Sequence, residues 1–232
     1  MARFALSWTD DGRPFAVDLD ATRDHVIGRD PTADVVIAGP TVSRRHAVLH
    51  GLGTGFTLEN SSSTNPTRLG GTAIAGARRL ENGAEIDTGG RRSLFWDLAA
   101  GDRLSGPICS HCGHENSPSD DDCWFCGTSL VNAPTEMRRT RHVVCRLVEP
   151  DGSVVDLLEE HALRFAADGR AASIAAEPAS DDAGVTIADG RPIVRNGRVA
   201  AEAGDGSAIG DRPLATGDVV RAGPRSYVVI VR

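Results

Sequence analysis

The sequence predicts an all-β protein in which two β-sandwiches are joined by a small cysteine-rich segment. Through residues 1–100, short apolar or β-branched runs alternate with polar turns rich in Gly, Ser and Asn, a pattern typical of a sandwich of short strands. Hydrophobic residues make up 40% of the 232 residues and aromatic residues only 4%, so the cores must be built from Val, Ile, Leu and Ala, which favours strands. Part of the N-terminal pattern recurs in the C-terminal third of the chain, which predicts a second copy of the same sandwich.

The strands of the first sandwich are predicted from the spacing of apolar runs and turn signals. In chain order they are residues 3–8, 15–19, 34–37, 56–59, 67–69, 85–88 and 93–98. The sequence Asp10-Asp11-Gly12-Arg13 predicts a hairpin turn between the first two strands. Further short apolar runs at residues 25–27 and 48–49 flank the loops discussed next.

Three polar loops carry side chains of the types that bind a phosphate group on a peptide. They contain Arg29, then Ser43 and Arg44, then Thr64 and Asn65. Arginine presents a rigid fork of donors matched to phosphate, hydroxyls add charge-assisted hydrogen bonds, and a carboxamide can both donate to and accept from a peptide backbone. Because the loops of a sandwich cluster at its ends, we expect these five residues to lie at one rim. Taken singly, Arg29 also fits an ordinary surface charge and Ser43 an ordinary turn residue.

At these residues the chain resembles the forkhead-associated (FHA) family, whose members bind phosphothreonine peptides. The family pattern appears here as Gly28-Arg29, Ser43-x-x-His46 and Thr64-Asn65-Pro66-Thr67, and it continues through Leu80-x-x-Gly83-x-x-Ile86-x-x-Gly89. The resemblance covers residues 1–100 and implies an FHA β-sandwich there. One departure is Pro66, where the family usually has Gly; its fixed φ bears on the turn after Asn65.

The resemblance also implies supporting roles for Gly28 and His46. From the residues alone, His46 could be a ligand, a base or an inward, hydrogen-bonded residue that fixes loop geometry. The resemblance favours the last of these.

The segment 107–130 is predicted to be a zinc ribbon. Four of the five cysteines form two C-x-x-C pairs, each followed by Gly. These cysteines are Cys109, Cys112, Cys123 and Cys126. Four thiolates close a tetrahedral site with no open position, which predicts a structural Zn²⁺. The alternatives are two disulfides, or ligation by His111 or His114; the fifth cysteine, Cys145, lies in an apolar run and is predicted to be a core residue.

Residues 131–141 are predicted to form a linker that ends in a basic cluster, Arg138-Arg139-Thr140-Arg141. This cluster could contact nucleic acid, but a solvated linker is the favoured interpretation. Thr135 and Thr140 are also candidate phosphorylation sites that would engage this protein's own site or that of a partner.

Residues 142–232 are predicted to be a degenerate FHA-like sandwich. Residues 151–157 repeat residues 11–19 with two fewer positions, and Leu214-x-x-Gly217-Asp218-x-Val220-x-x-Gly223 repeats residues 80–89 without a gap. The chemistry of the first copy is missing, because no Ser-x-x-His follows Gly169-Arg170.

Two further segments of this copy support that interpretation. Residues 177–182 are acidic and would repel phosphate, and Asn196-Gly197 lacks the spacing of the first copy.

Composition limits the remaining classes of function. The net charge of −7, with all 25 basic residues being Arg, argues against wholesale binding of nucleic acid. The absence of a long apolar run and of a secretory signal predicts a cytoplasmic protein without a membrane partner, and the composition is typical of bacteria. The sequence shows no nucleophile–base pair, nucleotide loop or open metal site, so we do not expect an enzyme.

These observations predict a phosphothreonine-dependent adaptor in bacterial Ser/Thr kinase signalling. Its partner would be a phosphothreonine-containing protein, such as a kinase or a kinase substrate. The alternative is a nucleic-acid-associated regulatory factor that acts through the zinc ribbon.

Overall fold

The structure, a computed structural model, describes residues 4–100, 109–112, 121–123, 126–130, 142–175, 184–195 and 199–232. Within these ranges it consists of strands, turns and loops without a helix, which confirms the predicted all-β class. The same ranges hold no helix with the length and hydropathy of a membrane-spanning segment. The linker with Thr135 and Thr140, and the acidic residues 177–182, lie outside the described residues.

The first sandwich contains eleven strands in two sheets. They are Phe4–Asp10 (β1), Arg13–Leu19 (β2), His25–Gly28 (β3), Val35–Val36 (β4), Ala47–Gly51 (β5), Phe56–Asn60 (β6), Thr67–Leu69 (β7), Thr72–Ala73 (β8), Arg78–Arg79 (β9), Glu85–Thr88 (β10) and Arg92–Asp97 (β11). One sheet has the order β2-β1-β11-β10-β7-β8 and the other β4-β3-β5-β6-β9. All pairs are antiparallel except β3 with β4. The predicted hairpin is confirmed, with positive φ at Asp11 and Gly12, as a two-residue turn of this kind requires.

The core of the first sandwich is centred on three phenylalanines from different strands. The ring of Phe4 lies edge-on to that of Phe56 at 5.4 Å and stacks with that of Phe95 at 5.9 Å. Aliphatic side chains from both sheets surround them, including fully buried Ile27 and Leu49. Because Ile27 and Leu49 belong to strands on either side of the candidate loops, burial of these residues fixes where the loops emerge.

The C-terminal part contains nine strands that repeat the strand order of the first sandwich. They are Val143–Val148 (β12), Val154–Leu158 (β13), His161–Phe165 (β14), Ala171–Ala175 (β15), Val185–Ala188 (β16), Arg191–Val194 (β17), Ala200–Glu202 (β18), Val219–Ala222 (β19) and Arg225–Val231 (β20). One sheet has the order β13-β12-β20-β19-β18 and the other β15-β14-β16-β17. The first order matches β2-β1-β11-β10-β7. In the other sheet, β15 is antiparallel to β14, whereas β4 is parallel to β3.

The two copies of the Leu-x-x-Gly repeat make the same hydrogen bonds. The amide of Gly83 donates to the carbonyl of Phe95 at 2.8 Å, and the amide of Gly217 donates to that of Val229 at 2.9 Å. The repeat seen in the sequence therefore extends to backbone geometry. That the second copy is an FHA-like domain stays a prediction.

The two sandwiches belong to one compact unit, residues 1–98 with 143–232, and residues 99–142 form another. An apolar cluster joins the sandwiches: Leu94, Trp96 and Leu98 at the end of the first meet Val228 and Ile230 of β20. On β11 and β20, alternate residues therefore face their own core or the neighbouring sandwich. This is why Leu94-Phe95-Trp96 of β11 and Val228-Val229-Ile230 of β20 are buried on both faces of their strands.

Candidate functional site

Backbone hydrogen bonds hold the loop after β3 against the loop before β5. The amide of Arg29 donates to the carbonyl of Ser43 at 3.1 Å, and the amide of Asp30 donates to that of Arg44 at 3.3 Å. The loops are so close at Gly28 that a Cβ there would overlap the carbonyl oxygen of Arg44. Gly28 thus permits the approach that brings Arg29 beside Ser43.

His46 fixes the loop that carries Ser43. It is fully buried, its Nδ1 accepts a hydrogen bond from the amide of Ser43 at 3.0 Å, and its own amide donates to Ile27 at 2.8 Å. Burial lowers the pKa of His46, against the smaller opposing effect of Asp87. The neutral ring with Nδ1 as acceptor carries its proton on Nε2, which has no partner among the described residues. His46 therefore points inward, against the loop that carries Ser43, and its supporting role in binding stays a prediction.

The loop between β6 and β7 is tied to the same cluster by a residue that the sequence reasoning missed. The hydroxyl of Ser62 lies 2.8 Å from that of Ser43 and accepts a hydrogen bond from the amide of Asn65 at 3.2 Å. Thr64 precedes Asn65 on this loop and is exposed. The three predicted loops therefore meet at one edge of the sandwich.

The side chain of Asn65 is partly engaged within the protein. Its Nδ2 donates to the carbonyl of Thr41 at 2.8 Å, and the Thr41 hydroxyl donates to the carbonyl of Gly89. One N–H and the carbonyl oxygen of the Asn65 carboxamide remain for a ligand. Thr41, which the sequence reasoning did not select, thus orients Asn65.

Asn60 was also missed, and it organises the β6–β7 loop. Its Oδ1 accepts hydrogen bonds from the amide and hydroxyl of Thr67 at 3.0 and 2.9 Å, and its Nδ2 donates to the carbonyl of Ser62 at 2.9 Å. Asparagine commonly closes turns through such side-chain-to-backbone bonds. The run of Asn and Ser before Thr64 was the available signal.

Arg29 and Arg44 present their charge to solvent. Both are exposed, and neither forms a salt bridge within the part of the chain that the structure describes. The nearby carboxylate of Asp30 instead accepts hydrogen bonds from the amide and hydroxyl of Thr32 at 2.9 and 2.7 Å. The hydrogen bond from the Thr32 amide is the main reason that the pKa of Asp30 is lowered. Two guanidinium groups are thus available for an anion.

The four C-x-x-C cysteines converge on one point. Their sulfur atoms all lie within 4.8 Å of one another, with Cys109–Cys126 and Cys112–Cys123 sulfur pairs at 3.6 Å. A tetrahedral site with Zn–S bonds of about 2.3 Å places its sulfurs about 3.8 Å apart, whereas a disulfide needs about 2.05 Å. The donor set and spacing fit a metal ion bound by four thiolates.

Local hydrogen bonds favour the thiolate form that a metal requires. The Thr128 hydroxyl lies 3.2 Å from the sulfur of Cys126 and is the main reason that its pKa falls to about 6. The pKa of Cys109 is also lowered, chiefly by the backbone amide of Cys112. Gly127 adopts a φ of 71° in the second turn, as expected for the glycine after a C-x-x-C pair. His111 is exposed, and His114 lies outside the described residues.

The remaining cysteine, Cys145, is fully buried in the core of the second sandwich, as predicted. Burial raises the pKa of its thiol.

In the second sandwich, Arg170, which echoes Arg29 in sequence, is paired with a carboxylate. Gly169 lies in the turn between β14 and β15 with a φ of 81°, whereas Gly28 ends a strand. The guanidinium of Arg170 pairs with Asp168 at 2.6 Å, and that of Arg225 pairs with Glu149 at 2.6 Å. Asn196-Gly197 lies outside the described residues.

Comparison with known proteins identifies the first sandwich. The family model of the FHA domain matches residues 25–89, the segment that contains all three loops, so the chain carries an FHA domain there. No curated protein matches the chain.

Two solved structures illustrate the similarity. The FHA domain of the CT664 protein from Chlamydia trachomatis is 25% identical with a TM-score of 0.39, covering 41% of this chain and 98% of that one. Mycobacterium tuberculosis EmbR in complex with a low affinity phosphopeptide is 26% identical with a TM-score of 0.37, covering 41% of this chain and 24% of that one.

Proposed function

We propose that the FHA domain binds peptides containing phosphothreonine and that the protein is an adaptor in bacterial Ser/Thr kinase signalling. The observation that carries this proposal is the pair of exposed arginines, Arg29 and Arg44, without a carboxylate partner among the described residues, on loops that backbone hydrogen bonds hold together. Two guanidinium groups carried on adjoining, hydrogen-bonded loops suit a dianion.

Each predicted residue has a distinct role in the proposed complex. Arg29 and Arg44 neutralise the phosphate, and the hydroxyls of Ser43 and Thr64 donate to its oxygens. Asn65 uses its free N–H and carbonyl oxygen to hold the peptide backbone beside the phosphothreonine. Gly28 and His46 support the loops without contacting the ligand. The partner would be a phosphothreonine-containing protein, either a kinase or a kinase substrate.

The rest of the chain is proposed to support this module. Residues 107–130 would form a zinc ribbon with a structural Zn²⁺, and residues 131–141 a linker. Residues 142–232 would form a degenerate FHA-like domain for protein interaction or packing. The pairing of Arg170 with Asp168 and of Arg225 with Glu149 supports a second domain that does not bind phosphate.

Substitution of Arg29 tests the proposal. We expect the full-length protein to select phosphothreonine peptides from a degenerate library over the unphosphorylated library. Arg29→Ala should reduce affinity at least about 100-fold, since a charge-assisted pair of hydrogen bonds to the ligand is lost. Isothermal titration calorimetry with one selected peptide measures the change.

Arg78→Ala provides a control matched for charge, because Arg78 is an exposed arginine on β9. This variant should bind like the wild type, and circular dichroism should show both variants folded. Wild-type affinity in Arg29→Ala would contradict the proposed site.

A further inference from the structure

Ser62 connects the loop before β5 with the β6–β7 loop, both of which would bind the phosphopeptide. Its side chain is buried, with 8% of the residue exposed, and its hydroxyl contacts both the Ser43 hydroxyl and the Asn65 amide. We propose that Ser62 is a positioning residue that directs the Ser43 hydroxyl proton toward the phosphate. The inference rests on the proposed phosphopeptide binding and adds a residue that would not touch the ligand.

The direction of the proton follows from the number of donors and acceptors. A hydroxyl has one proton to donate and two lone pairs. The Asn65 amide can only donate, so it occupies one lone pair of Ser62. When Ser43 donates to a phosphate oxygen, it can only accept from Ser62, and the Ser62 proton therefore points to Ser43.

The result is a one-way chain of hydrogen bonds from Asn65 through Ser62 and Ser43 to the anion. Each bond in such a chain polarises the next. In the opposite orientation, the Ser43 hydroxyl would donate its only proton to Ser62 and could not donate to the ligand. Without an anion, either hydroxyl of the pair can donate to the other, and a bound dianion selects the orientation in which Ser62 donates to Ser43.

The position of the Ser62 hydroxyl is fixed by its own backbone. Asn60 accepts from the amide of Ser62 at 3.3 Å and donates to its carbonyl at 2.9 Å. Both main-chain groups of Ser62 are thus held by one side chain, and its hydroxyl is preorganised before a ligand arrives.

Removal of the Ser62 hydroxyl tests the proposed chain of hydrogen bonds. Ser62→Ala should weaken binding of the selected phosphothreonine peptide about tenfold, and Ser62→Thr, which keeps a hydroxyl, should recover most of it. The matched control is Ser61→Ala, the same change at the preceding, exposed position, which should bind like the wild type. Thermal unfolding of each variant shows whether the fold is retained.

A double-mutant cycle separates positioning through Ser43 from general loosening of the loop. If Ser62 acts through Ser43, Ser62→Ala should cost less than about threefold in a Ser43→Ala background. The same tenfold cost in both backgrounds would overturn the proposal, whatever the effect on thermal stability. So would wild-type affinity in Ser62→Ala.

The wild-type protein and Arg29→Ala distinguish this proposal from the proposed function. A wild type that binds phosphorylated and unphosphorylated peptides alike would overturn both. A wild type that selects the phosphopeptide and loses it in Arg29→Ala, together with an unaffected Ser62→Ala, would overturn only the role of Ser62.

Discussion

At the scale of single residues, the site depends on groups that do not face the ligand. Gly28 allows two loops to approach, His46 holds the amide of Ser43, and Thr41 holds the carboxamide of Asn65. The ligand-facing residues of the site are therefore positioned by neighbouring groups, of which Gly28 and His46 are buried. Substitutions in these groups should reduce binding and stability together.

Gly28→Ala provides such a test. A methyl group at Gly28 would overlap the carbonyl of Arg44, so we expect a loss of about 1–3 kcal/mol in the free energy of unfolding and weaker phosphopeptide binding. Urea denaturation and calorimetry measure the two effects.

Gly76→Ala serves as the comparison, because a Cβ at Gly76 meets no atom within 4 Å. It should leave both quantities within error of the wild type. An equally benign Gly28→Ala would show that the approach of the two loops is not needed.

At the scale of elements, the cysteine segment and the strands depend on different interactions. The strands share extended apolar cores. The apolar cluster of the cysteine segment, within its described residues, contains only Leu130 besides cysteines. So little apolar burial cannot offset the loss of chain entropy, and a bound metal would supply the folding energy.

Metal content tests this expectation. Purified full-length protein should contain about one zinc ion per chain, measured by inductively coupled plasma mass spectrometry. The Cys109→Ser variant should lose this zinc. Affinity for the phosphopeptide should stay within about twofold of the wild type, because every proposed contact residue lies in the other compact unit.

Cys145→Ala controls for the loss of a cysteine elsewhere. It should keep its zinc, since Cys145 is buried in the second sandwich. Two disulfides and no zinc in the wild type would contradict the metal site.

At the scale of the whole molecule, Arg146 connects the two sandwiches. Its guanidinium lies 4.8 Å from the centre of the Trp96 ring and forms two hydrogen bonds with Asp156, at 2.7 and 2.8 Å. Only 9% of Arg146 is exposed. A cation between an aromatic face and a carboxylate links β11 of the first sandwich to β12 and β13 of the second.

Arg146→Ala should therefore destabilise both sandwiches together. The expected loss is about 3 kcal/mol, because the Asp156 charge loses its partner and Trp96 loses its cation. Urea unfolding of the full chain should show one transition for wild type and variant.

The matched control is Arg164→Ala on β14, an exposed arginine of the second sandwich, which should change stability by less than about 0.5 kcal/mol. Two separate transitions, with only the second shifted by Arg146→Ala, would show that the sandwiches fold independently.

The sequence by itself determined the all-β class, the positions of most strands of the first sandwich and the four cysteines that converge. The strands follow from local periodicity and the cysteine site from the close spacing of each pair, and both can be seen in the sequence. It also marked Gly28-Arg29, Ser43 and Thr64-Asn65 as loop residues, and the family match covers all three loops. Their roles in binding stay predictions.

Only the tertiary structure decided which side chains hold those loops. Ser62 and Ser43 are 19 positions apart, Asn65 and Thr41 are 24 apart, and no periodic pattern connects either pair. The contact of Trp96 with Arg146 could not be predicted from the sequence either. Such pairings depend on how sheets stack, and stacking is a property of the assembled core.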